Sequence, residues 1–318
     1  MKYMILQIAL AKGVGSVMLK RIIAFLDAHG YSWEDVEQSY EQILLEMGLR
    51  PEIIQNICSE HMRAQQLSEE LSNHSIDLLV ENDFRYPRFL KKTLGIKCPP
   101  LLFVKGNVSL LNNASVGFCG SRKVSQKGID ITANCAAQLV EQGVTVVSGY
   151  ASGTDLSAHK TALLCGGNTI FVLAEGILRS PVKSDVKELL NSKNHIFISQ
   201  FMPQITWNAG NAMKRNSVII GLSRAMILVE SGKTGGTFAA GEEALKVGCP
   251  LFVIDFSKPE VSAEANPYFI ASGGQPIRGK NGVPNLKKVF QVIHKDTLSE
   301  IQPTLYSNVN EQIRIPID

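Results

Sequence analysis

The sequence predicts an α/β protein in which a parallel sheet is covered by helices on both faces and follows a small all-helical domain. Three observations carry this expectation. From Ala114 onward, short apolar β-rich runs alternate with stretches of helical periodicity, the pattern of repeated strand–helix–strand units. Two of those runs, Ala114 to Cys119 and Val144 to Val147, empty into small-residue loops, as strands do at the open edge of such a sheet. Before them, from Met1 to about Leu71, apolar residues recur only at helix-like spacings.

The elements follow in order. Leu6, Leu10, Leu19, Ile22, Ile23, Leu26, Ile43, Leu44, Ile53, Ile54 and Ile57 mark helices separated by breaks at Gly13-Val14-Gly15, Gly30 and Gly48. The Gly-Val-Gly turn resembles a helix-hairpin-helix element, whose amides can hold a DNA phosphate; a plain turn is the simpler reading. Ile76 to Val80 reads as a strand, and Tyr86-Pro87, Pro99-Pro100 and Gly106 as an irregular stretch. Further strands are expected at Val144 to Val147, Thr169 to Leu173, Ile196 to Ser199, Ala225 to Glu230 and Leu251 to Ile254. Helices are expected at Ile129 to Gln142, Leu156 to Leu164 and Phe238 to Val247. The expected division is a helical domain over 1–72, an α/β domain over 73–298, and a loose tail over 299–318 with two prolines and no winged helix.

A chain of 318 residues with 45% hydrophobic content can bury a sizeable core. Its net charge of +3 and pI near 8.4 permit nucleic-acid binding through a local patch without demanding it. Cys58, Cys98, Cys119, Cys135, Cys165 and Cys249 lack metal-ligand or paired spacing, which points away from zinc and from a disulfide framework and toward a reducing cytoplasm. The apolar start is interrupted by Lys12 and reads as a helix rather than a signal peptide, and no run approaches the roughly 20 residues of a membrane span.

Four loops carry the candidate chemistry. Gly120-Ser121-Arg122 joins small residues to a forked cation suited to phosphate. The loop from Ser148 through Gly149 and Gly153 to Asp155 opens a helix; Asp155 reads as a cap and His159, four residues on, as a packed side chain more readily than the two read as a catalytic pair. Lys214-Arg215-Asn216 precedes an apolar run and is expected near a helix start. Gly235-Gly236-Thr237 opens another helix with amides able to cradle an anion. Neither a dinucleotide fingerprint nor a Walker loop fits: the second strand ends in Ser148 rather than an acid, and Lys233 precedes the last glycine instead of following it.

In this order the residues resemble the DNA-processing protein A (DprA/Smf) family. The likeness runs through Gly13-Val14-Gly15, Asp83-Phe84-Arg85-Tyr86-Pro87, Pro99 to Gly106, Gly120-Ser121-Arg122, Ser148 to Asp155, Ala158-His159, Arg215-Asn216, Ile219 to Ser223 and Val229-Glu230. It implies an extended Rossmann-like domain and a homodimer that binds single-stranded DNA and hands it to the recombinase RecA. It also implies no catalysis, no cofactor, no metal and no membrane. It would place Gly120, Ser121, Arg122, Ser148, Gly149, Gly153, Asp155, Lys214, Arg215, Asn216, Gly235, Gly236 and Thr237 around the DNA backbone.

The chain departs from the family pattern where Ser152, Ser217 and Cys249 replace arginines, and each lost phosphate contact would lower the salt slope by roughly 0.7. The alternative is a nucleotide-binding sensor of the wider superfamily. Its hydrolase branch uses a glutamate at the place of Ala240, and Glu242 and Glu243 fall about 200° and 300° further round the helix.

Overall fold

The computed structural model describes residues 2–280 and 282–295; the expected tail over 299–318, and the absence of a winged helix there, lie outside them. Five helices open the chain: α1 (Lys2–Leu10), α2 (Ser16–Ala28), α3 (Trp33–Glu46), α4 (Pro51–Ser59) and α5 (His61–Asn73). Their ends fall where local chemistry puts them. Ser32 and Asp35 form a reciprocal capping box at α3, and Pro51 occupies the first turn of α4. The apolar stripes, with Ile22, Leu44 and Ile57 fully buried, pack in one core with the strand residues Leu78, Phe103 and Phe171. The helical region is therefore fused to one end of the sheet by shared packing.

The rest runs β1 (Asp77–Val80), α6 (Arg88–Leu94), β2 (Leu101–Gly106), β3 (Ser115–Cys119), α7 (Gln126–Glu141), β4 (Thr145–Ser148), α8 (Thr154–Leu164) and β5 (Thr169–Val172). It continues with α9 (Ser184–Lys187), β6 (His195–Ser199), α10 (Ala209–Leu222), β7 (Ala225–Leu228), α11 (Gly236–Lys246), β8 (Leu251–Ile254), α12 (Asn266–Ala271) and β9 (Gln275–Ile277). Residues 287–295 are helical.

The nine strands form one sheet in the order β1-β2-β6-β5-β4-β3-β7-β8-β9. From β6 to β9 all pairings are parallel, whereas β2 runs antiparallel to both β6 and β1. The expectation of a parallel sheet holds for its body, and the two-strand antiparallel margin is new. The stretch expected to be irregular before Gly106 thus contains β2, because Pro99-Pro100 ends just where pairing begins.

Alternation along β5 shows how both faces are filled. Ile170 and Val172 join the core under α6, α10 and α11, while Phe171 joins the opposite face with α8 and the N-terminal helices. Winding reverses at β3, which has β4 on one side and β7 on the other, and that reversal leaves a crevice beyond the strand ends. Next to it, buried Asn266 at the start of α12 ties three segments together. Its Nδ2 donates to Val229 O (2.7 Å) and Ile254 O (2.9 Å), and its Oδ1 accepts from Ser231 N (3.0 Å). No helix among the described residues is long and apolar enough to cross a membrane.

Candidate functional site

The crevice at the β3/β7 reversal is a cleft of about 770 Å³. Of the residues expected around a ligand, Gly120, Ser121, Arg122, Asp155, Arg215, Asn216, Gly235, Gly236 and Thr237 line it. Ser148, Gly149 and Gly153 stand behind that lining, and Lys214 is exposed on α10 outside it.

Among the described residues four helices begin near the cleft, α7, α8, α10 and α11, and only α11 has neither an acidic group nor a capping side chain at its N-terminus. At α7, the Glu230 carboxylate accepts from Ser125 N (2.9 Å) and from Ser125 Oγ, while Ser125 Oγ accepts from Gly128 N (3.0 Å). The chain thus fills that helix end itself. The helix after β3 offers no open end to an anion, and Gly120-Ser121-Arg122 reach the cleft through their loop. At α8, Asp155 sits in the first turn. At α11, Gly235 takes φ +95° as N-cap, no side chain caps the helix, and no acidic residue lies in its first turn. Its leading amides and its dipole are open to an anion in the cleft. Asn216 fixes this turn by donating from Nδ2 to Gly236 O (3.2 Å).

The loop from Ser148 to Asp155 is a support. Gly153, at φ +78°, lets it lie against the Ser121 and Arg122 carbonyls, where a Cβ would come within 2.5 Å of Ser121 O. Asp155 is buried, accepting from Ala151 N (3.3 Å) with Ser148 Oγ 2.9 Å away. Burial pushes its carboxyl up and nearby Arg215 pulls it down. A carboxylate so placed repels phosphate, so Asp155 is a loop clamp rather than a DNA-backbone contact, and it does not cap α8, whose N-cap is Gly153.

His159 is packed as expected, with its ring nitrogens 2.6 Å from Gly149 O and 2.5 Å from Thr169 Oγ1. Burial pushes its pKa down to about 3. The unfolded chain therefore takes up the proton first as pH falls below the ordinary value near 6.5. Lowering pH from 7 to 5 is expected to remove about 2 kcal/mol of folding stability through this group, read from denaturant midpoints. A flat profile in that window would contradict the burial of a neutral ring.

Lys214-Arg215-Asn216 does not start a helix: α10 begins at Ala209, with Asn208 Oδ1 accepting from Asn211 N (2.8 Å). Arg215 points inward, 7% exposed, and Nη1 donates to Val172 O (2.7 Å), while its Nε has no hydrogen-bond partner. Gly149 leaves the room for this guanidinium, since a Cβ there would overlap it. Burial lowers the pKa of Arg215, opposed by Asp155 and Glu175.

Two groups, one in the cleft and one beside it, are not announced by the loop motifs. Trp207, 50% exposed, lies at the mouth with the Arg122 guanidinium 5.4 Å from its ring centre, so the cleft carries an aromatic surface that the small-residue loops did not suggest. Lys183 lies 4.4 Å over the Tyr150 ring, its Nζ donates to Tyr150 O, and burial lowers its pKa. A lone tryptophan in the polar run Thr206-Trp207-Asn208 was the available signal. Glu242 and Glu243 are absent from the lining; Glu242 accepts from Tyr268 (3.4 Å), and half-buried Glu243 faces Lys97 and Lys246.

Residues 77–285 match the family described as DNA recombination-mediator protein A. The chain is 26% identical over 278 residues to Protein Smf of Synechocystis, covering 85% of this chain and 68% of that protein. It is 25% identical to the DNA processing protein DprA of Bacillus subtilis, over 81% and 89% of the two chains. The X-ray structure of DprA from Streptococcus pneumoniae superposes with a TM-score of 0.70 at 25% identity, over 89% of this chain and 96% of that one. A DNA processing protein A from Helicobacter pylori, studied for its single-stranded DNA binding mode, shares the fold with a TM-score of 0.57 at 22% identity, over 71% and 98%. With its sheet and the matched span in agreement, the chain belongs to the DNA recombination-mediator protein A family.

Proposed function

We propose that the protein binds single-stranded DNA in this cleft, without turnover, and presents it to a RecA-type recombinase. The observation that carries the reading is the open N-terminus of α11 facing the stacked Arg122–Trp207 pair, one element for the phosphate backbone and one for an unstacked base. Asp155, the one carboxylate in the cleft lining among the described residues, is engaged by its own loop, which supports binding rather than hydrolysis. A homodimer is part of the proposal, supported by exposed Val261 (82%) and Tyr268 (48%) around α12. Sedimentation showing only monomer would remove that part.

The test is fluorescence anisotropy with labelled oligo(dT) against duplex across a salt series. The expected result is preference for the single strand and a linear fall of log affinity with log salt. Equal affinity for duplex, or indifference to salt, would overturn the reading. A nucleotide sensor is favoured instead if a mononucleotide raises the melting temperature and an oligonucleotide does not.

A further inference from the structure

Beside the main cleft lies a second cavity of about 340 Å³. The two share Arg122, Ala151, Trp207 and Arg215, so the stacked Arg122–Trp207 pair borders both. Pro181 and the buried Tyr150 ring, which Lys183 covers, border it, and Lys183 and Glu175 are the charged groups that belong to the side cavity alone. Glu175 is half-buried, and among the described residues its carboxylate has no hydrogen-bond or ion-pair partner. Its charge still acts on Lys183 and Arg215.

A carboxylate is out of place in a groove for phosphates, which it repels. As an acceptor-only group it calls for N–H donors. On a strand, such donors sit on base edges. Guanine presents N1–H and N2–H side by side, matching both carboxylate oxygens, and its adjacent O6 accepts. Arg215 forms part of the same wall. Thymine offers a single N–H between two carbonyls, which face a carboxylate unfavourably.

We propose that this side cavity receives one base turned out of the bound strand, and that Glu175 makes it favour guanine over thymine. The proposal rests on the single-stranded DNA reading above and adds a base preference to it. Stacking against Trp207 would hold the base, and the carboxylate would read its edge.

The experiment compares a short oligo(dT) with the same strand carrying one central guanine, by anisotropy at one salt concentration, for the unmodified protein and Glu175→Gln. The guanine strand is expected to bind about fivefold or more tighter. In the variant the preference is expected to fall below about twofold while oligo(dT) binds as well or better, because a negative charge has left a cationic groove. The main-chain carbonyl of Glu175, which accepts from Ser199 Oγ (2.7 Å), is untouched by this change. Equal binding of the two strands by the unmodified protein overturns the proposal and leaves the DNA reading standing, as does a preference that survives in a folded variant. Failure of both strands to bind overturns both. If the variant does not fold, the unmodified protein's comparison of the two strands decides.

Discussion

Arg215→Ala is expected to lower folding stability by about 3 kcal/mol, read from denaturant midpoints and seen as a fall of several degrees in melting temperature. The guanidinium is buried under Gly149 and bonded to Val172 O, and its charge counters that of buried Asp155 more than Lys183 does. Alanine leaves a cavity, an unpaired carbonyl and a buried carboxyl without its counter-charge. Arg215→Lys keeps the charge but not the planar fork, and should recover only part of the loss. A change below about 1 kcal/mol for the alanine variant would show that the arginine is not built into the fold. The sequence reading treated Arg215 as one phosphate contact among several; its burial makes it first a structural group.

Trp207→Ala is expected to leave stability within about 0.5 kcal/mol, since the ring is half exposed, while weakening oligo(dT) binding by about 1–3 kcal/mol through the loss of one stacked base. Trp207→Phe should restore most of the affinity. Arg122→Ala is expected to lower the salt slope by roughly 0.7, the share of one phosphate on a single strand. Because the two side chains stack on each other, their losses should not add. Unchanged oligo(dT) affinity in Trp207→Ala would place the strand away from the cleft mouth.

The body of the sheet was legible because buried parallel strands are short apolar runs: Leu251 to Ile254 was read to the residue, and Thr169 and Ala225 were read as strand starts. Helix starts were less legible. α7, α8 and α11 each begin two or three residues before the apolar period does, at Gln126, Thr154 and Gly236, because first turns are built from caps and glycines. α10 was misplaced for the same reason, its first turn Ala209-Gly210-Asn211 carrying no apolar period and only Asn208 announcing it. Within the site, Arg122 and Gly235 to Thr237 could be read because cations and glycines after strands have a known chemistry. The pairing of Glu230 with Ser125 could not, since 105 residues separate them and only the fold brings them together.

Asn266 gives the cleft unequal sides. By bonding at once to the ends of β7 and β8 and to the backbone after β7, it makes the α11–α12 flank a preformed anvil. The opposite flank is the segment leading to Trp207, which is exposed from Gln204 to Gly210. That flank is held by fewer buried groups, with Gly176 N donating to Ile205 O (2.8 Å) and Gln204 Nε2 to Glu70 (3.0 Å). A strand bound in such a cleft would be laid in sideways across its exposed edge, without being threaded from an end.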